Sequence, residues 1–146
     1  MSDSAEYLTP QLPNATPAQK KVFFQALVCL SGIDGRTDPE EIDYIAKIAH
    51  KYNVDNFAEI CNFKNDKEVI ENARIIDSRP LALELLRKLC MLAHVDNVLS
   101  DEETLFIGKI GRAMNVEMDK IEQISEWVVE RLILRAQAKL IFEEKA

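Results

Sequence analysis

The chain has 146 residues, 47% of them hydrophobic and 29% charged, with only 4 Gly and 5 Pro; that fits one folded domain and excludes collagen-like, low-complexity and disordered chains. Its 18 Lys and Arg against 25 Asp and Glu give a net charge of −7, so nucleic acid, which is bound through phosphate-neutralising cations, is not an expected partner. Apolar runs of a few residues predict no transmembrane segment, the first thirty residues lack a leader pattern, and three cysteines without C-x-x-C spacing predict reduced thiols, which together describe a soluble cytoplasmic protein.

Residues 1–15, with Ser2, Ser4, Pro10, Pro13 and Asn14 and no apolar periodicity, read as a loose N-terminal arm before a helical domain over 16–146. Thr16-Pro17-Ala18-Gln19 then opens a helix: a Thr cap, Pro at the first position and Gln three after the cap. Phe23, Phe24, Ala26, Leu27, Cys29 and Leu30 give it a broad buried face. Asp38-Pro39-Glu40-Glu41 starts a second helix in the same manner, with Ile42, Ile45, Ile48, Ala49 and Tyr52 inward and Asn53 as a left-handed stop. Two short helices follow, near 56–61 and 67–75, with Asp55 and Asp66 as starts. A long apolar helix begins at Pro80 and carries Leu81, Leu85, Leu86, Leu89, Leu92 and Ala93. Ser100-Asp101-Glu102-Glu103 repeats the cap-and-Glu pattern before Phe106, Ile107, Ile110 and Met114, and a C-terminal helix is expected over about 119–143. No stretch alternates with period two, so the fold class is all-α, one domain of about seven helices.

Sliding the sequence against itself by 62 residues lays Leu27–Val54 on Leu89–Val116 with ten identities in 28 positions, among them Asp34/Asp96, Glu40/Glu102, Glu41/Glu103, Ile45/Ile107 and Asn53/Asn115. Chance gives about two, at roughly one in fifteen per position. The unit is apolar helix, acidic loop, helix and Asn-Val stop, over about 23–54 and 85–116. Neither copy buries its apolar face alone, which predicts two helix-loop-helix repeats packed about a pseudo-two-fold axis.

The strings Leu30-Ser31-Gly32-Ile33-Asp34-Gly35-Arg36-Thr37-Asp38-Pro39-Glu40-Glu41 and Leu92-Ala93-His94-Val95-Asp96-Asn97-Val98-Leu99-Ser100-Asp101-Glu102-Glu103 resemble the acidic A-D-G-x-[hydrophobic]-[S/D]-x-x-E signature of the tellurite-resistance TerB family and its TerB-like relatives. The resemblance implies a small helical domain with two related halves, acidic motifs proposed to hold divalent cations, and a place in bacterial tellurite-resistance, stress-response or phage-defence complexes at the inner face of the membrane. A protein partner, itself membrane-associated, and peripheral localisation through that partner are part of the same implication. This sequence departs from the signature at Gly32, His94, Thr37 and Asn97.

Two readings of the acidic loops stand side by side. Asp34 and Asp96 follow the C-terminal ends of helices, where a carboxylate is disfavoured by about 0.3–1 kcal/mol, and a hard cation of the Ca²⁺ or Mg²⁺ kind would compensate, with Asp34, Asp38 and Glu41 as the first oxygen set and Asp96, Ser100 and Glu103 as the second. Alternatively these are caps: Asp before Gly or Asn makes an Asx turn, and Glu41 and Glu103 are capping-box residues. An EF-hand fails on spacing, since counting from Asp34 puts Arg36 at position 3, Pro39 at 6 and Ile45 at 12. His50 and His94 lack ligand-spaced companions, and no nucleophile elbow, Walker loop, dinucleotide fingerprint or H-E-x-x-H occurs, so a non-enzymatic module is expected. On the last helix, Ile121, Ile124, Val128 and Leu132 form a core-facing stripe, while Trp127, Arg131 and Arg135 are the candidate interaction residues and the far end is a candidate homodimer or partner contact.

Overall fold

The computed structural model describes residues 8–33, 35, 38–94 and 99–143. Seven α-helices and two 3₁₀ turns lie among the described residues, with no strand: α1 (Pro17–Ser31), α2 (Pro39–Lys51), α3 (Phe57–Ile60), α4 (Asp66–Asn72), α5 (Arg79–His94), α6 (Asp101–Ala113) and α7 (Met118–Phe142). The all-α expectation holds. Asp34 and Asp96, named above as first ligands of each loop, lie outside the described residues.

Helix α1 is the centre. Its start is the reciprocal cap read from the sequence, Thr16 Oγ1 accepting from Gln19 N at 3.1 Å and Gln19 Oε1 from Thr16 N at 3.0 Å. Every residue from Val22 to Ser31 is buried, which follows from its being packed by α2, α3, α4, α5 and α6. Phe23 and Phe24 meet edge-on at 5.5 Å between ring centroids, an arrangement that suits the aromatic quadrupole. The buried Gln25 is satisfied on both sides: its Nε2 donates to the Ile60 carbonyl and its Oε1 accepts from Asn72, so α3 and α4 are tied to the central helix by hydrogen bonds as well as by the fully buried Ile60 and Val69.

Helix α5 is the second central element, flanked by α1, α6 and α7; Leu85, Leu86 and Leu89 are fully buried. It begins one residue before the Pro80 start expected, with Ser78 Oγ accepting from Leu81 N. Of the two short helices, α4 is capped one residue before the expected Asp66, Asn65 Oδ1 accepting from Glu68 N at 3.0 Å, and α3 follows Asn56 without a side-chain cap bond. Asp55 instead pairs with His50 Nδ1 at 2.9 Å. The expected loose arm requires correction over its second half. Residues Leu12–Asn14 form a 3₁₀ turn, Leu12 is buried, and the amides of Gln11 and Leu12 donate to the two carboxylate oxygens of Glu84 on α5, each at 3.0 Å.

Some local features recur 62 residues apart. Helices α2 and α6 both have thirteen residues and start and stop 62 apart. Asn53 and Asn115 hold φ of 66° and 62°, the left-handed stop that Asn tolerates. Each is followed by a Val whose amide bonds five residues back, Val54 to Ala49 and Val116 to Gly111, both at 2.9 Å. Side-chain environments diverge: Phe106 is buried, whereas Tyr44 at the equivalent position is exposed.

Candidate functional site

The loops that follow α1 and α5 lead into the N-termini of α2 and α6, and these are where the acidic motifs lie. In the first, the chain leaves α1 through the amides of Gly32 and Ile33, bonded to Cys29 and Leu30, and turns at Gly35, whose amide donates to the Gly32 carbonyl. Gly35 holds φ of +80° with open space around a notional Cβ, so glycine is demanded by the backbone angle and not by crowding. Asp38 then caps α2 with Oδ1, accepting from Glu40 N at 3.0 Å, with Pro39 at the first helical position. The capping box expected with Glu41 is therefore built differently, the cap bond going to the amide of Glu40 instead of that of Glu41. Glu40 and Glu41 in the first turn complement the positive end of the helix.

The second loop closes the box the sequence predicts. Ser100 Oγ accepts from Glu103 N at 3.1 Å, Glu103 Oε1 accepts from Ser100 N at 3.0 Å, and Thr104 Oγ1 donates to the Ser100 carbonyl. One carboxylate oxygen of Glu103 is thus committed to its own helix. His94, in the last turn of α5, feels this carboxylate: burial pushes its imidazole below the ordinary value, and the charge of Glu103 works in the opposite direction. Its Nε2 is buried without a hydrogen-bond partner among the described residues.

The described residues contain no group of three or more His, Cys, Asp and Glu side chains placed to hold a metal. Each proposed ligand set includes one Asp outside them, so Asp38 and Glu41 on one side, and Ser100 and Glu103 on the other, are the members the structure places. Each pair sits within one helix start, with Asp38 exposed and Glu41, Ser100 and Glu103 half-buried. A groove of about 540 Å³ runs beside the first loop, walled by Gly32 and Ile33 at the end of α1, Phe63, Asn65 and Asp66, and Glu102, Leu105 and Lys109 of α6. Sequence reasoning missed this groove because it joins segments about 70 positions apart, such as Gly32 and Glu102.

The interaction candidates of α7 take a different position. Arg131 lies over the Trp127 ring at 5.3 Å, a cation–π contact, and Trp127, Arg131 and Arg135 are half-buried. Arg131 faces α5 closely enough that its charge, after burial, depresses the Arg87 guanidinium. The strongly exposed apolar residues of α7 are instead Ile133, Leu134, Leu140, Ile141 and Phe142.

A bundle centred on two long helices, each followed by a capped helix, is the all-α arrangement that the described residues define. The chain is similar to a crystal structure of a tellurite resistance protein from Nostoc punctiforme, with a TM-score of 0.56 and 16% identity, covering 90% of this chain and 85% of that one. No family model matches the chain, and no curated protein matches it. The likeness establishes the fold, and the neighbour's description coincides with the family that the two loop motifs resemble. Among the described residues no helix is long and apolar enough to cross a membrane.

Proposed function

We propose that this chain is a non-catalytic TerB-like module acting with a protein partner in a bacterial tellurite-resistance, stress-response or defence complex, and that the loop between α1 and α2 weakly holds a divalent cation, Ca²⁺ or Mg²⁺. The observation that carries the reading is the fold of a tellurite resistance protein in a chain whose acidic motif stands at both helix-opening loops. The partner bears the membrane association, and the non-enzymatic part rests on the missing catalytic motifs.

The two loops differ as ligand sets in their residue types: Asp34, Asp38 and Glu41 are three carboxylates, whereas Asp96, Ser100 and Glu103 are two carboxylates and a hydroxyl. Each loop commits one carboxylate oxygen to a helix start, Asp38 to the Glu40 amide and Glu103 to the Ser100 amide. Asp34, Asp38 and Glu41 are the set we favour, with water completing the six or more oxygens that these hard cations take. Few protein ligands mean weak affinity. The second reading, an interaction domain whose acidic loops are caps alone, is favoured by the closed capping box of α6.

Amide NMR titration with each cation separates them. Cation binding predicts shifts at Gly35 and Asp38 at millimolar concentration, reduced in Asp34→Asn, Asp38→Asn and Glu41→Gln. Asn remains a good cap, so Asp38→Asn should cost less than about 0.5 kcal/mol, while Ser100→Ala should cost about 1 kcal/mol and leave the titration unchanged. Wild-type spectra without a loop-specific response would remove the cation and leave the interaction module.

A further inference from the structure

Helix α7 changes character along one face. Residues at helical spacing on its outer side begin as Asp119, Glu122, Gln123, Glu126 and Glu130, all exposed, and continue as Ile133, Leu134, Gln137, Leu140 and Ile141, also exposed. The opposite stripe runs the other way: Ile121, Ile124, Val128 and Leu132 pack inward, and the same line continues as Arg131, Arg135 and Lys139. The second half of the helix thus turns apolar side chains to solvent while the half-buried Arg131 and Arg135 lie on the side of the bundle, the reverse of ordinary amphipathic design.

We propose that the outer face of α7 from Ile133 to Ile141 is a self-association surface, on which a second copy of this chain lies antiparallel with Gln137 at the two-fold axis. In that register Ile133 meets the partner's Ile141, Leu134 meets the partner's Leu140, and the two Gln137 amides, each donor and acceptor, face one another. The proposal is independent of any cation at the loops.

Three observations select a second copy as the occupant. Ile133, Leu134, Leu140 and Ile141 are 52 to 82% exposed, on the order of 500 Å² of apolar surface per chain, so a pair buries about 1,000 Å², the small end of specific interfaces and fit for a weak dimer. The face carries no charge between Ile133 and Ile141, so like charges do not oppose pairing. A parallel pair would set the rows of Glu122, Glu126 and Glu130 against each other, whereas the antiparallel pair overlaps only beyond them. A lipid surface is the poorer fit: the same acidic row would meet an anionic membrane, while Arg131 is engaged with Trp127 and turned toward Arg87.

Sedimentation equilibrium of the full chain from about 5 to 500 µM spans the affinity range of an interface this small. The expected result is a reversible dimer, weakened about 100-fold or more by Leu134→Glu combined with Ile141→Glu, substitutions at exposed positions beyond the packed turns that leave the bundle itself folded, as an unchanged urea midpoint would show. In a Cys61→Ser background, Gln137→Cys should oxidise to a cross-linked dimer and Lys139→Cys, on the opposite stripe, should not. A monomer throughout the range, a dimer indifferent to the two glutamates, cross-linking at Lys139→Cys in preference to Gln137→Cys, or vesicle binding by a chain that stays monomeric would each overturn the proposal.

Discussion

The carboxylate of Glu84 holds the N-terminal segment to the bundle, and its removal has a magnitude that follows from the geometry. Its two oxygens accept the amides of Gln11 and Leu12, and the group is itself buried. Hydrogen bonds to a charged acceptor contribute about 1.5–3 kcal/mol each; the lower end applies because the released segment can re-solvate its amides, which puts Glu84→Ala at about 3 kcal/mol. Arg87, whose guanidinium lies 3.9 Å from Glu84, loses a favourable charge and keeps Arg131 beside it, which adds in the same direction. Glu84→Gln retains one acceptor oxygen and should cost about half as much. With a urea slope of about 2 kcal/mol/M, Glu84→Ala shifts the midpoint by roughly 1.5 M. Hydrogen exchange should accelerate at Gln11 and Leu12 before the rest of the chain responds. Leu12→Ala, which empties a buried site, should cost about 2–3 kcal/mol, and the double variant should fall short of the sum because both changes release the same segment. A midpoint that barely moves in Glu84→Ala, with unchanged exchange at those two amides, would refute the reasoning.

Thiol reactivity should divide the cysteines by burial. Burial, with the charge of Asp66 adding to it, pushes Cys29 up to about 12, and burial pushes Cys90 up to about 11 against a lowering bond from Ser125; native alkylation at pH 8 should therefore label the exposed Cys61 alone, and Cys61→Ser should abolish the fast phase. Rapid labelling of Cys29 would mean that α1 is rotated from the orientation described. His94 sets a pH dependence: burial holds its folded value below the ordinary 6.5, so the unfolded chain binds the proton first as pH falls. Stability is full above that ordinary value and declines on acidification until the folded imidazole also protonates; His94→Gln should flatten this part of a urea-midpoint profile between pH 8 and 5, and an unchanged slope would dismiss the histidine as its source.

Local chemistry was the legible part of this fold. Thr16, Asp38 and Ser100 announce helix starts because their side chains satisfy amides within three residues, and Asn53 and Asn115 announce stops because few residues hold positive φ. Each such statement needs only neighbours in sequence. Glu84 escaped for the opposite reason: its partners are Gln11 and Leu12, more than seventy positions away, although an acid embedded between Leu83 and Leu85 in an apolar helix was a signal that something must come to meet it. The divergence of Tyr44 from Phe106 was equally hidden, since similar local patterns are packed by different helices, α2 by α1 and α6 chiefly by α4, α5 and α7. At the loops the residue types were readable and the bonding was not: Ser100 closed the expected box with Glu103, and Asp38 chose Glu40.

The last two turns of α7 outlast their support. Leu132 and Arg135 are the final half-buried residues, and every residue from Ala136 to Phe142 is exposed while still helical. Seven residues are well under the dozen or so at which a helix persists in water by itself, because nucleating a turn costs more than its first hydrogen bonds return. The order of this tip is therefore lent by the packed turns before it and is open to reinforcement from outside. Whatever covers Leu140 and Ile141 also completes the folding of the helix that presents them, which makes docking at this end a helix–coil transition as much as an encounter between two finished surfaces.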